Sequence, residues 1–282
     1  MMTRLTTLIF ALACAIGCRA QGTDKPTGIL LVHYGTQNDK SREATIDRLD
    51  SAVTAQFPQC RVVEAYAAGS VIKALGARGI RKLTISQGLD SLKASGCRRV
   101  VVQSTMLLDG LMTDLIRTAV KKAAPGFEEI KTARPLLYNV VDCRAMAQSI
   151  ERSLKADASL GAEGAQVVLV GHGSDSPANA MYSQMDYMLK DEGRTLWHVG
   201  TIEGYPTLEA VARRLKEHAC RRVVLVPLLY IAGNHQRDDI EGHWKPELER
   251  LGYEVSVVAH GLGETGEMRR LIADNIKKQL AE

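Results

Sequence analysis

Eight short runs of apolar, largely β-branched residues are spaced along the chain, and they constrain its fold more than any other feature. The runs lie at 28–35, 61–68, 98–105, 130–137, 166–172, 197–204, 221–231 and 254–261. Stretches with helical amphipathic spacing separate them, at 40–56, 111–124, 141–155, 206–218 and 265–281. Strands that are apolar at successive positions are buried on both faces, which is typical of parallel sheets covered by helices on each side. The sequence therefore predicts an α/β fold built from doubly wound parallel sheets.

The second half of the chain repeats the order of segments found in the first half. Residues 96–102 (GCRRVVV) recur at 219–225 (ACRRVVL). Residues 30–36 (LLVHYGT) are echoed by 168–174 (VLVGHGS) in the same order. We therefore predict a duplicated four-stranded unit.

The boundary between the two predicted units is marked by a change in composition. Small and Gly-rich residues at 158–164 have the character of a domain joint. This places an N-terminal α/β half at 28–156 and a C-terminal α/β half at 165–282. Ligands of such folds bind beyond the carboxyl ends of the strands, so the cleft between the halves is the expected active site.

The first 20 residues have the organisation of an export signal. Arg4 supplies a positive charge, residues 8–16 form an unbroken apolar run, and small residues follow at Cys18 and Ala20. As a helix this run would rise about 14 Å, which is short of the roughly 30 Å hydrocarbon core of a bilayer. We expect residues 1–20 to be a cleaved signal peptide, no membrane span, and a periplasmic mature protein.

Processing of this leader has two other interpretations. Residues 15–18 (AIGC) resemble a lipoprotein box that lacks its usual leucine, which leaves a lipid anchor on Cys18 open. The leader could also stay uncleaved as an N-terminal helix.

Charge and cysteine usage exclude several classes of function. Removal of Arg4 and Arg19 with the leader lowers the formal net charge of +4 by two, so a nucleic-acid partner is not predicted. The later cysteines are Cys60, Cys97, Cys143 and Cys220, and their wide spacing contains no C-x-x-C pair. We interpret them as small core residues, and a disulfide stays open because export permits one.

Three polar residues of the second half follow apolar strands, where side chains point into the expected cleft. His172 is the last residue of the run 166–172, Glu203 lies at the end of the strand that begins at 197, and His235 follows the run that ends at 231. Two imidazoles and one carboxylate suit a borderline divalent metal such as cobalt, nickel, iron or zinc, with coordination positions left for a substrate. The repeat counterparts of His172 and His235 are Tyr34 and Met112, so only the second half would hold the metal.

Each of these residues also has a structural interpretation. His172 could shape a Gly-rich turn, Glu203 could pair with a lysine, and His235 could cap the helix that follows. His33 ends the first strand and could also face the cleft. Hydrolase and nucleotide-binding functions are disfavoured, because no G-x-S-x-G elbow and no G-x-x-x-x-G-K-[ST] loop occur.

From residue 28 to its C-terminus, the chain resembles the class II tetrapyrrole chelatases and, within them, the anaerobic sirohydrochlorin cobaltochelatases, here in an exported form. The resemblance is carried by 30–36 (LLVHYGT), 168–182 (VLVGHGSDSPANAMY), 198–209 (HVGTIEGYPTLE), 223–240 (VVLVPLLYIAGNHQRDDI) and 260–264 (HGLGE). It implies two α/β halves related by a pseudo-two-fold axis, a tetrapyrrole in the cleft, and metal ligation by His172, Glu203 and His235. The sequence departs from the family at 103–106 (QSTM), where related enzymes can have a histidine in a segment like Q-S-L-H.

The implied reaction is insertion of Co2+ into sirohydrochlorin, a precorrin-2-derived tetrapyrrole, with release of two protons, as part of cobalamin and tetrapyrrole biosynthesis. The divalent metal is a substrate, Fe2+ and Ni2+ are alternatives to Co2+, and no organic cofactor is expected. His172 is the predicted proton acceptor. Tyr34 and Arg237 are predicted to contact the carboxylate-rich ring.

A second class of function stays open, namely a periplasmic carrier of a metal or a tetrapyrrole, which the export signal suggests. A homo-oligomer is possible on either interpretation.

Overall fold

The computed structural model describes residues 26–157 and 162–281, in which eight strands form two four-stranded sheets. The strands are β1 (Thr27–His33), β2 (Cys60–Tyr66), β3 (Arg99–Ser104), β4 (Glu129–Thr132), β5 (Gln166–Gly171), β6 (Trp197–Thr201), β7 (Arg222–Leu228) and β8 (Glu254–Val257). The first sheet has the order β2-β1-β3-β4 and the second has the order β6-β5-β7-β8. Every strand pair is parallel. The prediction of two similar parallel-sheet halves is confirmed, because the two sheets share one strand order.

Helices cover the faces of both sheets. They are α1 (Asp39–Arg42), α2 (Arg48–Gln56), α3 (Gly69–Ala77), α4 (Ile85–Ala94), α5 (Leu111–Ala123), α6 (Val140–Ala156), α7 (Ala180–Asp191), α8 (Leu208–Leu215), α9 (Gly233–His235), α10 (Lys245–Arg250) and α11 (Gly266–Ala281). Glu43–Asp47 and Gln236–Trp244 are π-helical, and Ala124–Gly126, Pro177–Asn179 and Leu262–Glu264 are single 3₁₀ turns. No helix of the described ranges is long and apolar enough to cross a membrane.

The continuous apolar character of the strands follows from burial on both sheet faces. On β1, Ile29 and Leu31 belong to the large core cluster between the halves. Leu30 and Val32 face the other way and pack in a second cluster under α4 and α5. Because neither face of the strand meets water, no alternation of polar and apolar residues is needed.

Local signals fix where several helices begin. Thr84 and Gln87 form a capping box at the start of α4, in which each side chain accepts a hydrogen bond from the other residue's backbone N–H. The side chain of Asn139 caps α6, and that of Thr207 caps α8. These caps explain why both long amphipathic patterns start within two residues of their predicted positions.

The two halves are packed into one core. The cluster that contains Ile29 and Leu31 also contains Leu169 of β5 and Ile272 and Ile276 of α11. The C-terminal helix α11 packs against β3 and α2 of the first half as well as α6, and α6 in turn packs against α7. The last helix of each half therefore contributes to the core of the other half.

Two of the predicted segments lie wholly or partly outside the described residues. The predicted signal peptide at 1–20 and residues 158–161 of the predicted linker lie outside the described residues. Cys60, Cys97, Cys143 and Cys220 are free thiols. Cys97 and Cys143 are fully buried, as expected of small core residues, whereas Cys60 and Cys220 are only partly buried.

Candidate metal centre

The carboxyl ends of the two sheets adjoin each other. His33, the last residue of β1, lies with its ring centroid 6.5 Å from that of Tyr230, which follows β7. Loops that leave the carboxyl ends of both sheets therefore line a common edge. His172, Glu203 and His235 all lie on such loops or at their junction with a helix.

His172 is the first residue after β5, in a turn held rigidly against a neighbouring loop. Its backbone carbonyl accepts a hydrogen bond from Glu203 N at 2.7 Å. The next residue, Gly173, has φ +90°, and a Cβ built there would lie 1.3 Å from Glu203 O. Only glycine fits, because the position needs both a positive φ and the absence of a side chain. The tight turn therefore holds His172 and Glu203 together through their backbones.

Two residues behind the turn hold it in place. The Asn179 side chain accepts from Ser174 N at 3.0 Å and donates to Tyr205 O at 2.7 Å, so it links the His172 loop to the Glu203 loop. Tyr182 of α7 is buried, and burial raises the pKa of its phenol to about 12, although the backbone N–H groups of Gly173 and His172 act in the opposite direction. Both residues lie in the 168–182 segment, but nothing in their residue type marked a supporting role.

His235 closes the short helix α9, immediately before the π-helical turn Gln236–Trp244. Its ring centroid lies 4.6 Å from that of His172, with the ring planes at 84°. The structure thus brings together two of the three predicted metal ligands, which lie 63 positions apart in the chain.

The two imidazoles use the same ring nitrogen, Nδ1, for their hydrogen bonds. His172 Nδ1 lies 3.1 Å from Gly173 O, and His235 Nδ1 lies 2.8 Å from Asp239 Oδ2. A carbonyl and a carboxylate can only accept, so in the neutral form of both rings Nδ1 carries the hydrogen and Nε2 has the lone pair. Two neighbouring Nε2 lone pairs are suited to hold a divalent metal or to accept a proton.

The backbone of Glu203, the third predicted ligand, is hydrogen-bonded to His172. Glu203 lies beside His172, while its side chain is exposed. Within 26–157 and 162–281, no group of three or more His, Cys, Asp or Glu side chains lies close enough together to hold a metal ion. Ligation by the Glu203 carboxylate therefore stays a prediction.

The two predicted substrate contacts are exposed residues at the carboxyl edges. Tyr34 directly follows β1 and is 50% exposed. Arg237 is exposed and donates from its guanidinium to both carboxylate oxygens of Asp238, at 2.7 and 2.9 Å. Their contact with a substrate stays a prediction.

The interpretation that His33 faces the cleft was wrong. His33 is fully buried, with Nε2 3.0 Å from Asp50 Oδ1 and Nδ1 3.3 Å from Thr105 Oγ1. Both ring nitrogens are engaged inside the protein, because Asp50 of α2 and Thr105, which follows β3, both contact the ring. His33 therefore offers no free ring nitrogen to a ligand.

Comparison with known sequences identifies the family. A family model described as cobalt chelatase (CbiK) matches residues 27–281. The chain is 26% identical over 257 residues to the sirohydrochlorin cobaltochelatase of Salmonella typhimurium, with 89% of this chain and 96% of the relative covered. It is 27% identical over 243 residues to the sirohydrochlorin cobaltochelatase CbiKC of Nitratidesulfovibrio vulgaris, with 84% of each covered.

Comparison with solved structures identifies the same fold. SirB from Bacillus subtilis with Fe3+ is similar with a TM-score of 0.70 at 16% identity, covering 91% of this chain and 96% of that one. CbiX, described as the terminal enzyme for biosynthesis of siroheme in denitrifying bacteria, is similar with a TM-score of 0.57 at 16% identity, covering 89% and 98%. Both support the two-half chelatase fold. Because the family model spans the whole duplicated unit, both sheets and both paired imidazoles, the chain belongs to the cobalt chelatase (CbiK) family.

Proposed function

We propose that this protein is a sirohydrochlorin cobaltochelatase, a lyase-class metal chelatase that inserts Co2+ into sirohydrochlorin with release of two protons. The observation that carries the proposal is the pair of imidazoles, His172 and His235, at the carboxyl edge between two chelatase-like halves. Its family and both named relatives support the same reaction.

Insertion requires the metal to exchange its ligands for ring nitrogens while two pyrrole N–H protons leave. His235 and Glu203 would hold the metal over the ring, with the Glu203 carboxylate swung toward the pair from its backbone anchor. His172 would accept a proton through Nε2, because that nitrogen is the one left free by the bond from Nδ1 to Gly173 O. One nitrogen cannot hold a metal and a proton at once, so His172, itself a predicted ligand, would release the metal to His235 and Glu203 before it takes the first proton. It would pass that proton to solvent before it accepts the second.

Exposed apolar side chains at the carboxyl edges support a flat, largely apolar ligand. They follow β1, β3, β4 and β6 in the chain, so they lie toward the edge at which such folds bind their ligands. The residues are Tyr34, Leu111, Leu115, Tyr138, Val141 and Tyr205. The face of a tetrapyrrole fits such a lining, and its acidic arms would reach the exposed rim where Arg237 lies.

The reaction is tested by mixing the chain lacking residues 1–20 with sirohydrochlorin and excess Co2+, then Fe2+ and Ni2+, and following the absorption spectrum of the ring. We expect many equivalents of ring to be metallated per protein, above the rate without protein. The ranking of the three rates assigns the metal, since two imidazoles and a carboxylate discriminate weakly among these ions. Stoichiometric binding without acceleration would refute a chelatase and favour the carrier function.

The proton-acceptor role of His172 gives the first prediction. His172→Ala should lower the turnover number by at least about 100-fold, the usual contribution of a general base. The midpoint of thermal unfolding should change little, because the side chain is only partly buried. The exposed His243 offers a matched control, and His243→Ala should keep wild-type turnover. Normal turnover in His172→Ala would remove His172 from the mechanism.

We also propose that the protein is exported, on the basis of the leader at residues 1–20. Fractionation of cells and mass measurement of the mature chain test this. A mass that corresponds to a chain cleaved after Ala20 supports secretion, and the mass of a lipid-modified Cys18 supports an anchor. Recovery of the intact chain from the cytoplasm would refute export.

The leader also favours the second candidate, a periplasmic carrier that binds a metal or tetrapyrrole with the same imidazoles. The turnover measurement separates the two, because a carrier binds one equivalent and stops.

A further inference from the structure

The two imidazoles of the metal centre have different partners. His172 Nδ1 donates to a neutral backbone carbonyl, Gly173 O, at 3.1 Å. His235 Nδ1 donates to a carboxylate, Asp239 Oδ2, at 2.8 Å. A hydrogen bond to an ionised acceptor is shorter and about twice as strong as one between neutral groups. The bond at His235 therefore holds its ring more firmly than the bond at His172 does.

Asp239 reaches His235 because both residues lie on the same side of consecutive helical turns. His235 ends α9, and Asp239 lies four residues later in the π-helical segment. π-Helical segments are rare and are frequently found at functional sites. Here the turn carries three acidic side chains, and Asp239 is the one bonded to the imidazole.

The other two acidic side chains of this turn have other partners. Asp238 is bonded to Arg237 through both carboxylate oxygens, and Glu241 accepts a hydrogen bond from the side chain of Gln236 at 2.9 Å. Asp238 and Asp239 are therefore adjacent residues with the same charge, and only Asp239 touches the metal centre. This difference gives a matched pair of substitutions.

We propose that Asp239 is a positioning residue that makes His235 the metal-holding imidazole, while His172, which lacks a carboxylate partner, is left to accept the proton. The inference rests on the proposed function. A carboxylate on Nδ1 fixes the tautomer with a free Nε2 lone pair, orients the ring, and increases electron donation to a metal on Nε2. Removal of such a partner costs about 10- to 100-fold in metal affinity.

The experiment measures Co2+ affinity by calorimetric titration of the chain without tetrapyrrole. Wild-type protein should bind Co2+, and His235→Ala should abolish that binding. Asp239→Asn should weaken binding about 10- to 100-fold, and Asp239→Glu, which keeps a carboxylate, should recover part of the loss. Asp238→Asn should bind Co2+ with wild-type affinity.

A second readout separates positioning from a general effect on structure. In ¹⁵N NMR of the metal-free protein, wild-type His235 should show the tautomer protonated on Nδ1, and Asp239→Asn should show a mixture. In steady-state assays Asp239→Asn should raise the KM for Co2+ and keep the kcat reached at saturating metal, whereas His172→Ala should lower kcat.

Three results would overturn the proposal. Wild-type Co2+ affinity in Asp239→Asn, with binding still lost in His235→Ala, would leave the metal centre intact and remove Asp239 from it. An equal loss in Asp238→Asn and Asp239→Asn would assign the effect to net charge. Absence of Co2+ binding by the wild-type chain would refute the metal centre itself, whereas binding without turnover would refute only the chelatase activity.

Discussion

Gly173 is the residue on which the geometry of the metal centre depends most directly. A Cβ at this position would overlap Glu203 O, so the loops that carry His172 and Glu203 would have to separate. Gly193, at the end of α7, also has a positive φ (+83°), but a Cβ there would meet no atom within 4 Å. Both glycines have a positive φ, but only at Gly173 would a side chain also overlap a neighbouring backbone atom.

We therefore expect Gly173→Ala to lower chelatase turnover by about 100-fold or more, since displacements of about 1 Å can have effects of that size. Gly193→Ala should keep its activity and lose only about 1–2 kcal/mol of unfolding free energy from the left-handed backbone. Turnover assays and denaturant unfolding check both. Wild-type activity in Gly173→Ala would show that the backbone contact does not set the site.

His198 makes the stability of the protein sensitive to acid. It is fully buried in β6, its Nε2 lies 3.2 Å from Gln166 Oε1, and Nδ1 has no partner. Burial, assisted by the charge of Lys190 and opposed by Asp186, lowers the pKa of His198 to about 3 from an ordinary value of 6.5. The folded protein therefore requires the neutral ring.

The unfolded chain binds this proton at a higher pH than the folded protein does, so stability is lost as the pH falls from 6.5 towards 3. Above 6.5 the group has no effect. Between these pH values the group should lower the unfolding free energy by up to about 1.4 kcal/mol per pH unit, and His198→Gln should remove this slope. The exposed His243 gives the control, and His243→Gln should leave the profile unchanged. An unaltered slope in His198→Gln would contradict the prediction.

At the scale of elements, α11 connects the two halves. Its buried residues Met268, Ile272, Ala273 and Ile276 form one face, and this face packs across β3 and α2 of the first half. At the end of the helix, Lys131 of β4 donates to Gln279 O at 3.3 Å. The C-terminal helix therefore covers a sheet to which it is not connected by a short loop.

Ile276→Ala should lower the unfolding free energy by about 2–5 kcal/mol, because the side chain is fully buried and its removal leaves a cavity. Lys277→Ala, one residue later on the exposed face, should change it by less than about 0.5 kcal/mol. Chemical denaturation measures both. Equal stability of the two variants would show that α11 does not support the core.

At the scale of the whole molecule, two sheets with the same strand order carry different side chains on the loops at their carboxyl ends. The imidazole pair lies on loops of the second sheet, and the corresponding positions of the first half are Tyr34 and Met112. Their shared core makes the halves depend on each other for stability. Duplication thus supplied two similar frameworks, of which only the second carries the His172–His235 pair that we propose as metal ligands.

We expect the protein to unfold in a single transition. Tryptophan fluorescence reports on the second half, since Trp197 and Trp244 both lie there, while far-UV circular dichroism reports on both halves. The two signals should give one midpoint in urea, because α6 and α11 join the cores. Two separated midpoints would show that the halves fold independently.

Strand positions could be predicted from the sequence because burial of both sheet faces requires continuous apolar runs. The run at 221–231 extends beyond β7, however, since Leu229 and Tyr230 are buried in a loop. An apolar pattern records burial and cannot separate a strand from the buried loop that continues it. Helices α3, α4, α7, α9 and α10 fall outside the helical stretches named from the sequence.

The sequence by itself determined the α/β class, the duplication, the eight strands and the residues that follow them, because these properties depend on the order and burial of neighbouring residues. Only the tertiary structure decided that His172 and His235 meet, that Asp239 bonds to one of them, that His33 is buried, and that α11 covers the first sheet. Each of these contacts joins different elements, or depends on the local turn of a π-helix. Residue types at the two ends of a contact do not specify it until packing fixes where the loops and helices lie.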